Sequence, residues 1–584
     1  MNRAVVAAIA WAAGTLCAQT TFYPLKDVRP GLRGAGRTVM SGDRVEEFQV
    51  EILGVLENAG PNQSIILGRL SGGGLEHTGV LQGMSGSPVY VDGRLLGAVA
   101  LSFAYTKEPV AGIRPIEEML RARPMPPAAP RARLLPPDRQ LAIEAPPREE
   151  FPGGPARMVE IATPVALSGF TRRTLDHFAP ELRSLGLEPR QGVLGGGRPG
   201  ARIGDPSALR PGGMISVQLL AGDMSVGAEG TITHIDGRNL YAFGHRFLSV
   251  GATELPFARA EVLTIVPNLA TSFKISAARE WMGAITADHS TGIAGELGRR
   301  AAMVPVSISV KDGERSWNYR LEMVRDRLLS PFLLQMGLFS IIDATGRTVG
   351  ASTFAVRGRV EFDGGIAPLR LENVYAGENN VALLVAFGAA LPLSYCMQSG
   401  LDGLRLKNIA IDLERHDDRR QWRIDQVWAS PEQVRPGETV EITAILAGEN
   451  GAEVTRQARY AVPPGARTGP IHFTVSDGAG ANLAEFQQIL STTPRTAAQM
   501  IALLNRLRDN SRAYVRVWRE EPNFLVDGRD LAGPPPSAAL ILARAQSSLS
   551  GALQTRNTKV AEIELDAGGG VVNGSRTIQV EVRE

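Results

Sequence analysis

Short runs of alternating apolar and polar residues, separated by clusters of glycine, fill the first hundred residues behind the N-terminal segment. Residues 48–56 read FQVEILGVL, and residues 64–67 read SIIL. A period of two is typical of half-buried β-strands, and glycine clusters between such runs are typical of tight turns. The pattern therefore predicts that residues 19–120 are all β.

The β pattern resumes at residue 158 and continues, mostly as short strands, to about residue 400. This region opens with TLDHFAPELRSL at 174–185, where apolar residues recur at helical spacing. We therefore expect 158–400 to be a β-rich region that begins with one helix.

Alternation is clearest farther on, in NIAIDL at 408–413 and TVEITAIL at 439–446. With the Pro-Gly-Glu turn at 436–438 it predicts an immunoglobulin-like β-sandwich over 404–495. Residues 496–584 are expected to be an α+β tail, with a helix at its start and a strand pair at its end.

Two segments differ from this globular pattern. The first three residues carry one arginine, and a short apolar run extends to residue 18, which is typical of a signal peptide. We therefore expect residues 1–18 to be cleaved during export to the periplasm or the extracellular space. No other run is long and apolar enough, by this pattern, to span a membrane.

Residues 121–157 are crowded with Pro and Arg, and we interpret them as a linker.

Composition argues against two classes of function, nucleic-acid binding and metal- or cofactor-dependent chemistry. A chain of 584 residues requires several domains. Lys+Arg 62 against Asp+Glu 60 leaves a net charge of +2, too balanced for the one-signed field of a nucleic-acid-binding protein. The two cysteines and seven scattered histidines form no metal-ligand pattern, so no metal or other cofactor is expected. The oligomeric state stays open.

The chemistry is concentrated in residues 78–100, where a Gly/Ser loop enters a predicted hairpin. Asp92 and Gly93 suit a two-residue turn, which places Ser85 just before the first strand. Glycine at 83 and 86 allows a tight loop with its N–H groups turned inward, so Gly83 and Ser85 are the predicted oxyanion donors. Ser87 lies deeper and is a weaker candidate nucleophile. A glycine-rich turn without chemistry is the alternative.

The run GMSGSP at 83–88, followed by a strand, a DG turn and a GAV strand, resembles the SpoIVB-type serine peptidases. It resembles more remotely the GDSGGP loop of chymotrypsin-like enzymes. The similarity extends back through 65–79 and forward to 111–120. It implies that Ser85 is the nucleophile of an endopeptidase with a chymotrypsin-like double barrel, acting on a protein or peptide.

A serine nucleophile needs a base. His77, His416 and His472 are interpreted as surface residues, which leaves the candidates His177, His234, His245 and His289. His245 is preferred because GTITHIDGRNLYAFGHRFL at 230–248 resembles the family's other catalytic segment, a strand pair that ends in a Gly-His corner.

The chain departs from the family in two respects. The family's His segment precedes its Ser segment, whereas Ser85 here precedes His245, as if the halves were permuted. The family's Asp aligns with the SGGG stretch at 71–74, which holds no carboxylate. Glu76 is near in sequence, and Asp288 is the preferred substitute, with a turn residue as its alternative interpretation. The PDZ domain that usually accompanies the family is not recognised.

Three hypotheses follow. The first is an exported serine endopeptidase, self-processing or not, that uses Ser85 and His245. The second is an inactive pseudo-peptidase that serves as a binding or scaffold protein of the cell envelope. The third is a structural surface protein. A carboxylate near His245 is the feature that separates the first two, because without one a His–Ser pair loses as much as about 10⁴-fold in rate.

Overall fold

The computed structural model describes most of the chain behind the N-terminal segment. The described residues are 21–103, 106–121, 150–151, 158–192, 202–345, 350–483, 494, 496–521, 523–526, 529–532, 534–545, 552–555 and 557–584. The expected signal peptide, 1–18, lies outside them, as does most of the expected linker, 121–157.

The first unit is a closed ring of six antiparallel strands. They are β1 Arg33–Ser41, β2 Arg44–Gly60, β3 Gln63–Ser71, β4 Pro88–Val91, β5 Arg94–Phe103 and β6 Val110–Pro115. Pairing runs β4-β1-β2-β3-β6-β5 and closes through β4 and β5. Two short helices, α1 Leu75–Thr78 and α2 Ile116–Leu120, flank the ring, and β7 Glu150–Phe151 and β8 Met158–Glu160 extend it at β5.

A second ring of six strands follows. β9 Thr163–Ser168, α3 Arg172–Ser184 and β10 Leu187–Gln191 precede it and form a parallel strand pair with a crossover helix. The ring strands are β11 Met214–Gly222, β12 Ser225–Asp236, β13 Asn239–Ala242, β14 Gly251–Val266, β15 Phe273–His289 and β16 Gly292–Leu297. Pairing runs β12-β13-β16-β15-β14-β11 and closes through β11 and β12.

The two rings contact each other. Gly42, between β1 and β2, exchanges two backbone hydrogen bonds of 2.8 Å with Val262 of β14. Val39 of the first ring shares a small buried cluster with Met214, Ala260 and Val262 of the second. The sequence regions 20–120 and 215–310 are therefore neighbours in the folded chain.

The sheet of the second ring continues through five more strands that are covered by two helices. These elements are β17 Met303–Asp312, β18 Arg315–Val324, α4 Leu329–Thr345, β19 Ser352–Phe362, β20 Leu369–Gly377, α5 Val381–Gln398 and β21 Leu406–His416. The sequence pattern did not predict α4 and α5, because both are apolar on all sides and lack the one-sided stripe of a surface helix.

Helix α5 also corrects the expectation that no second run could span a membrane. In the described part of the chain it is the one helix that is long and apolar enough to do so by length and composition, and 56% of it is buried inside the fold. It packs against α4, β19 and β20. A core helix of a globular domain has the same properties.

The C-terminal part contains two facing sheets with one shared hydrophobic core. Their strands are β22 Gln421–Ser430, β23 Gln433–Val434, β24 Thr439–Ala447, β25 Glu453–Ala461, β26 Gly469–Asp477, β27 Arg512–Arg519, β31 Thr558–Asp566, β32 Val571–Asn573 and β33 Ser575–Val582. Around them lie α6 Ala497–Leu504, β28 Asn523–Val526, β29 Arg529–Ala532, α7 Pro536–Ala545 and β30 Ala552–Thr555.

This arrangement differs from the segments expected at 404–495 and 496–584. Strand β21 pairs with β17 and β19 of the large sheet rather than with the sandwich. The last strands of the chain, in contrast, complete the sandwich, because β33 pairs with β26 and β31 pairs with β27. Local alternation identifies a strand but not the sheet that it joins.

The prediction of a mainly β chain is confirmed. Strands account for 54% of the described residues and helices for 19%, so strands determine the architecture. The predicted helices near 174 and 496 are present as α3 and α6, and each begins at a threonine, Thr171 or Thr496, whose side chain accepts a hydrogen bond from a backbone N–H of the first turn.

Candidate active site

The hairpin that carries Ser85 has the predicted form. Strands β4 and β5 pair antiparallel with Val91 opposite Arg94. The two residues between them, Asp92 and Gly93, have φ angles of 50° and 74°, as the favoured two-residue hairpin turn requires. Ser85 precedes β4 in the loop 82–87, which we call the nucleophile loop.

Strands of the second ring hold the backbone carbonyls of the nucleophile loop. Thr231 and Thr233 on β12 supply most of these bonds, and Lys274 on β15 supplies one. The bonds are Lys274 N to Gln82 O (3.2 Å), Thr231 Oγ1 to Gly83 O (2.9 Å), Thr231 N to Ser85 O (2.9 Å) and Thr233 Oγ1 to Gly86 O (2.7 Å). The loop is therefore attached to the ring that also carries His245.

The N–H groups of the loop divide into two sets. Four of them donate to backbone carbonyls. These bonds are Gln82 N to Ser272 O, Met84 N to Leu81 O, Gly86 N to Val99 O and Ser87 N to Met84 O. The N–H groups of Gly83 and Ser85 donate to no acceptor within the described residues. Uncommitted amides two residues apart in an otherwise bonded loop are what an oxyanion hole requires.

Gly86 marks a close approach between the loop and the second ring. A Cβ at this position would lie 2.1 Å from Thr231 O and 2.5 Å from Phe243 N, both of which are backbone atoms. Its φ of 92° is also strained for any other residue. Glycine is therefore required here by contact as well as by conformation.

The hydroxyl of Ser85 is fully buried and has no hydrogen-bond partner within the described residues, and the same is true of Ser87. Leaving a buried polar group unbonded costs about 1–3 kcal/mol, so such groups are rare. Because Ser85 is 0% exposed, a substrate reaches it only if the surrounding segments move.

His245 follows a sharp backbone corner at the end of β13. Phe243 and Gly244 have φ angles of 72° and 70°. The position of a Cβ on Gly244 is 3.3 Å from Val99 O, the same carbonyl that accepts from Gly86 N. The corner and the nucleophile loop therefore meet at one residue of β5.

The ring of His245 is 2% exposed, and its Nδ1 lies 2.7 Å from Arg246 O. Since a carbonyl oxygen only accepts, Nδ1 carries the hydrogen in this bond, and Nε2 is the nitrogen that can take a proton. The structure thus brings the two predicted segments together but forms no hydrogen bond between Ser85 Oγ and the imidazole.

Asp288, the proposed substitute acid, lies in the same region with a different set of partners. Its carboxylate accepts from the backbone N–H groups of Phe247 (2.9 Å), Leu248 (2.7 Å) and Val250 (3.3 Å). Burial raises the pKa of Asp288, and these three bonds act in the opposite direction. Asp288 therefore holds the segment that follows His245, and its hydrogen bonds go to this backbone rather than to the imidazole.

Glu76 belongs to helix α1 and accepts a 2.6 Å hydrogen bond from Gly72 N, which lowers the pKa of its carboxyl group. Of the remaining histidine candidates, His234 stacks against Tyr241, and His177 stacks against Phe339. Within the described ranges no group of three or more His, Cys, Asp or Glu residues is arranged to hold a metal ion.

Sequence analysis missed three buried charged residues near the two segments. Glu160 lines a small cavity together with His245, and its Oε2 accepts from Arg246 Nε at 3.1 Å. Glu229 and Lys274 lie on strands that hold the nucleophile loop. Each occurs in a strand pattern without any motif, so only the tertiary structure shows its position.

Comparison with known families supports this interpretation of the loop. Residues 26–120 match the family SpoIVB peptidase S55. The match covers the first ring with Ser85 and supports a serine peptidase of the SpoIVB type in general; it ends before the second ring and His245. Searches of curated proteins and of solved structures gave no match.

Proposed function

We propose that this protein is an exported serine endopeptidase of the SpoIVB type, with Ser85 as nucleophile, His245 as general base and the N–H groups of Gly83 and Ser85 as oxyanion donors. The observation that carries the proposal is the pair of unbonded amides around Ser85. They occur in a loop whose other amides and carbonyls are bonded, within the segment that matches the family.

The reaction uses the described groups in a standard order. Ser85 Oγ attacks the carbonyl carbon of a peptide, its proton passes to Nε2 of His245, and the amides of Gly83 and Ser85 bind the resulting oxyanion. The proton then passes to the leaving amine as the C–N bond breaks. Water, deprotonated by the same imidazole, hydrolyses the acyl-enzyme and restores Ser85.

The bond from His245 Nδ1 to Arg246 O fixes the tautomer in which Nε2 is the base. Glu160 is a carboxylate that lines the same small cavity as His245. Cleavage of the protein's own chain is one reaction that this arrangement would serve.

Two features of the proposal come from the sequence and the arrangement of the rings. The charged, then apolar N-terminus supports export to the periplasm or beyond; intact-mass analysis of exported protein should then lack residues 1 to about 18. Two six-stranded rings with the candidate site between them support a permuted relative of the chymotrypsin-like double barrel.

The second candidate function is a pseudo-peptidase that binds partners at the cell envelope. One observation favours it specifically: Ser85 Oγ is 0% exposed and forms no bond to His245.

Labelling with a fluorophosphonate probe separates the two candidates. Wild-type protein should be labelled, Ser85→Ala and His245→Ala should not, and the double variant should be no worse than either single one, because nucleophile and base act as a unit. Ser87→Ala, two residues away and equally buried, is the matched control and should retain labelling. Labelling that persists in Ser85→Ala refutes the catalytic assignment, and an unreactive wild type favours the pseudo-peptidase.

A further inference from the structure

A lysine is buried directly against the nucleophile loop. Lys274 is 1% exposed. Its aliphatic stem lies 3.5 Å from the position of a Cβ on Gly83, and its backbone N–H donates to Gln82 O. Both its side chain and its backbone therefore contact the segment that supplies the oxyanion amides.

The amine of Lys274 ends at the first ring, where Nζ donates to Thr38 Oγ1 at 2.7 Å. Thr38 belongs to β1, which pairs with β4 through Gly36 and Val89. The amine of Lys274 thus lies where the second ring contacts the first, on a strand of the first ring that pairs with the strand following the nucleophile loop.

Glu229 is the nearby acid. It precedes Thr231 by two residues on β12, so its side chain projects from the same face of the strand as the threonine that holds the loop. It is 3% exposed. Within the described residues no carboxylate lies within ion-pair distance of Lys274 Nζ, so the lysine and the glutamate are buried without a direct salt bridge.

Burial has opposite effects on the two groups. It lowers the pKa of Lys274 to about 7 and raises the pKa of Glu229 to about 8, while each charge favours the ionised form of the other. The folded protein thus tends to neutralise both groups around neutral pH, whereas in water both are ionised there.

Other charged groups around Lys274 have their own partners. Arg190 of β10 donates to Gln82 Oε1 and lies over the ring of Phe273. On the adjoining strands, Arg37 pairs with Glu47 and Glu261 pairs with Arg279, in both cases partly exposed. Burial also lowers the pKa of Arg190, but a guanidinium stays charged at neutral pH. Lys274 and Glu229 are therefore the groups around the nucleophile loop whose pKa values burial moves toward neutral pH.

We propose that Lys274 and Glu229 are positioning residues of the nucleophile loop, and that opening of the loop toward Ser85 is coupled to the ionisation of both. Lys274 acts through Gly83 and Gln82, and Glu229 acts through the face of β12 that holds the loop. The inference rests on the proposed function of Ser85, and it adds a mechanism that controls access to that residue.

Proton linkage sets the direction of the effect. When the loop opens and water enters, Lys274 and Glu229 regain the ordinary pKa values of 10.5 and 4.5. Opening releases the proton that Glu229 holds in the closed form, so it becomes easier as pH rises from 4.5 to about 7. Opening also takes up a proton on Lys274, so it becomes harder as pH rises from about 8 to 10.5, and between pH 7 and 8 the two effects cancel. Opening is easiest between pH 7 and 8.

The test uses the complete protein and the fluorophosphonate probe. In the wild type, the labelling rate should fall by up to about tenfold per pH unit between pH 8 and 10, the slope of one linked proton. Lys274→Met should remove this fall, whereas Glu229→Gln should keep it. Lys407→Met, at an exposed lysine of β21, is the matched control and should behave as the wild type.

Hydrogen exchange of the peptide that contains the loop, corrected for intrinsic rates, gives a readout that needs no activity. Opening should peak between pH 7 and 8 in the wild type, lose its alkaline decline in Lys274→Met and lose its acid-side rise in Glu229→Gln. If Lys274→Met does not fold, the glutamine variant decides the question alone. If hydrogen exchange of the loop depends on pH in both variants as it does in the wild type, the inference is overturned. An unlabelled wild type whose exchange shows the expected pattern overturns only the peptidase proposal.

Discussion

At the scale of single residues, Gly86 is the position where the loop and the second ring leave no room for a side chain. Its neighbours there are backbone atoms of Thr231 and Phe243, which cannot rotate away. Gly93 in the hairpin turn also has a positive φ, but nothing lies within 4 Å of its Cβ position. An alanine at Gly93 would therefore suffer backbone strain alone, whereas an alanine at Gly86 would suffer both backbone strain and a steric clash.

We predict that Gly86→Ala lowers the free energy of unfolding by about 3 kcal/mol or more and abolishes probe labelling of Ser85, since the loop must move off β12. Gly93→Ala should cost about 1 kcal/mol and keep labelling. Denaturant unfolding and labelling rates measure both effects. Equal destabilisation by the two variants would show that the close contact is absent.

Asp288 can be tested in the same way. Asparagine keeps the shape of the side chain, but in its better orientation the oxygen faces Leu248 and Val250 while the NH₂ group meets the N–H donor of Phe247. We predict that Asp288→Asn costs about 1.5–3 kcal/mol and slows labelling by displacing the segment behind His245. Asp236→Asn, at the exposed β12–β13 turn, should change neither quantity. Unchanged stability in Asp288→Asn would contradict the assigned role.

Sequence pattern predicts those parts of the site that depend on local conformation. The Asp92-Gly93 turn, the glycines around Ser85 and the corner before His245 follow from the positive φ angles that such residues accept. The partners of Asp288 and the burial of Lys274 and Glu229 depend on strands that meet only in the folded chain. No local pattern encodes these contacts, so the sequence could not predict them.

At the scale of elements, the same distinction explains which helices were predicted. Helices α3 and α6 have a cap and an apolar stripe, and both were predicted from the sequence. Helix α4 is apolar on all sides and almost fully buried, and α5, of which 56% is buried, packs against α4, β19 and β20. A run of apolar residues without periodicity does not distinguish a buried helix from buried strands.

Helix α5 contains a matched pair of leucines that tests its burial. Leu393 is 0% exposed, and Leu384 is 47% exposed. We predict that Leu393→Ala lowers the free energy of unfolding by about 2–5 kcal/mol, whereas Leu384→Ala changes it by less than about 0.5 kcal/mol. Chemical denaturation of the detergent-free protein measures both. Similar effects at the two positions would contradict the packing of α5 within the fold.

At the scale of the whole molecule, the candidate site belongs to neither ring alone. The segment that matches the family contains Ser85 and the two amides proposed to bind the oxyanion, while β12 and β15 of the second ring hold the loop carbonyls. The chain between the rings includes the proline-rich stretch 122–149. The two backbone bonds between Gly42 and Val262 and the bonds of the nucleophile loop join the rings without this stretch.

We predict that cutting the chain at a protease site inserted after residue 130 leaves two fragments that co-elute in native size-exclusion chromatography and separate only in denaturant. Labelling of Ser85 should remain within about twofold of that of the uncut protein, since a surplus of non-covalent contacts makes the cut nearly neutral for a folded pair. The same cut in Gly86→Ala protein, where the loop cannot settle on β12, should release the fragments more readily. Separation of the wild-type fragments in native buffer would mean that the contacts between the rings are too weak to assemble the site.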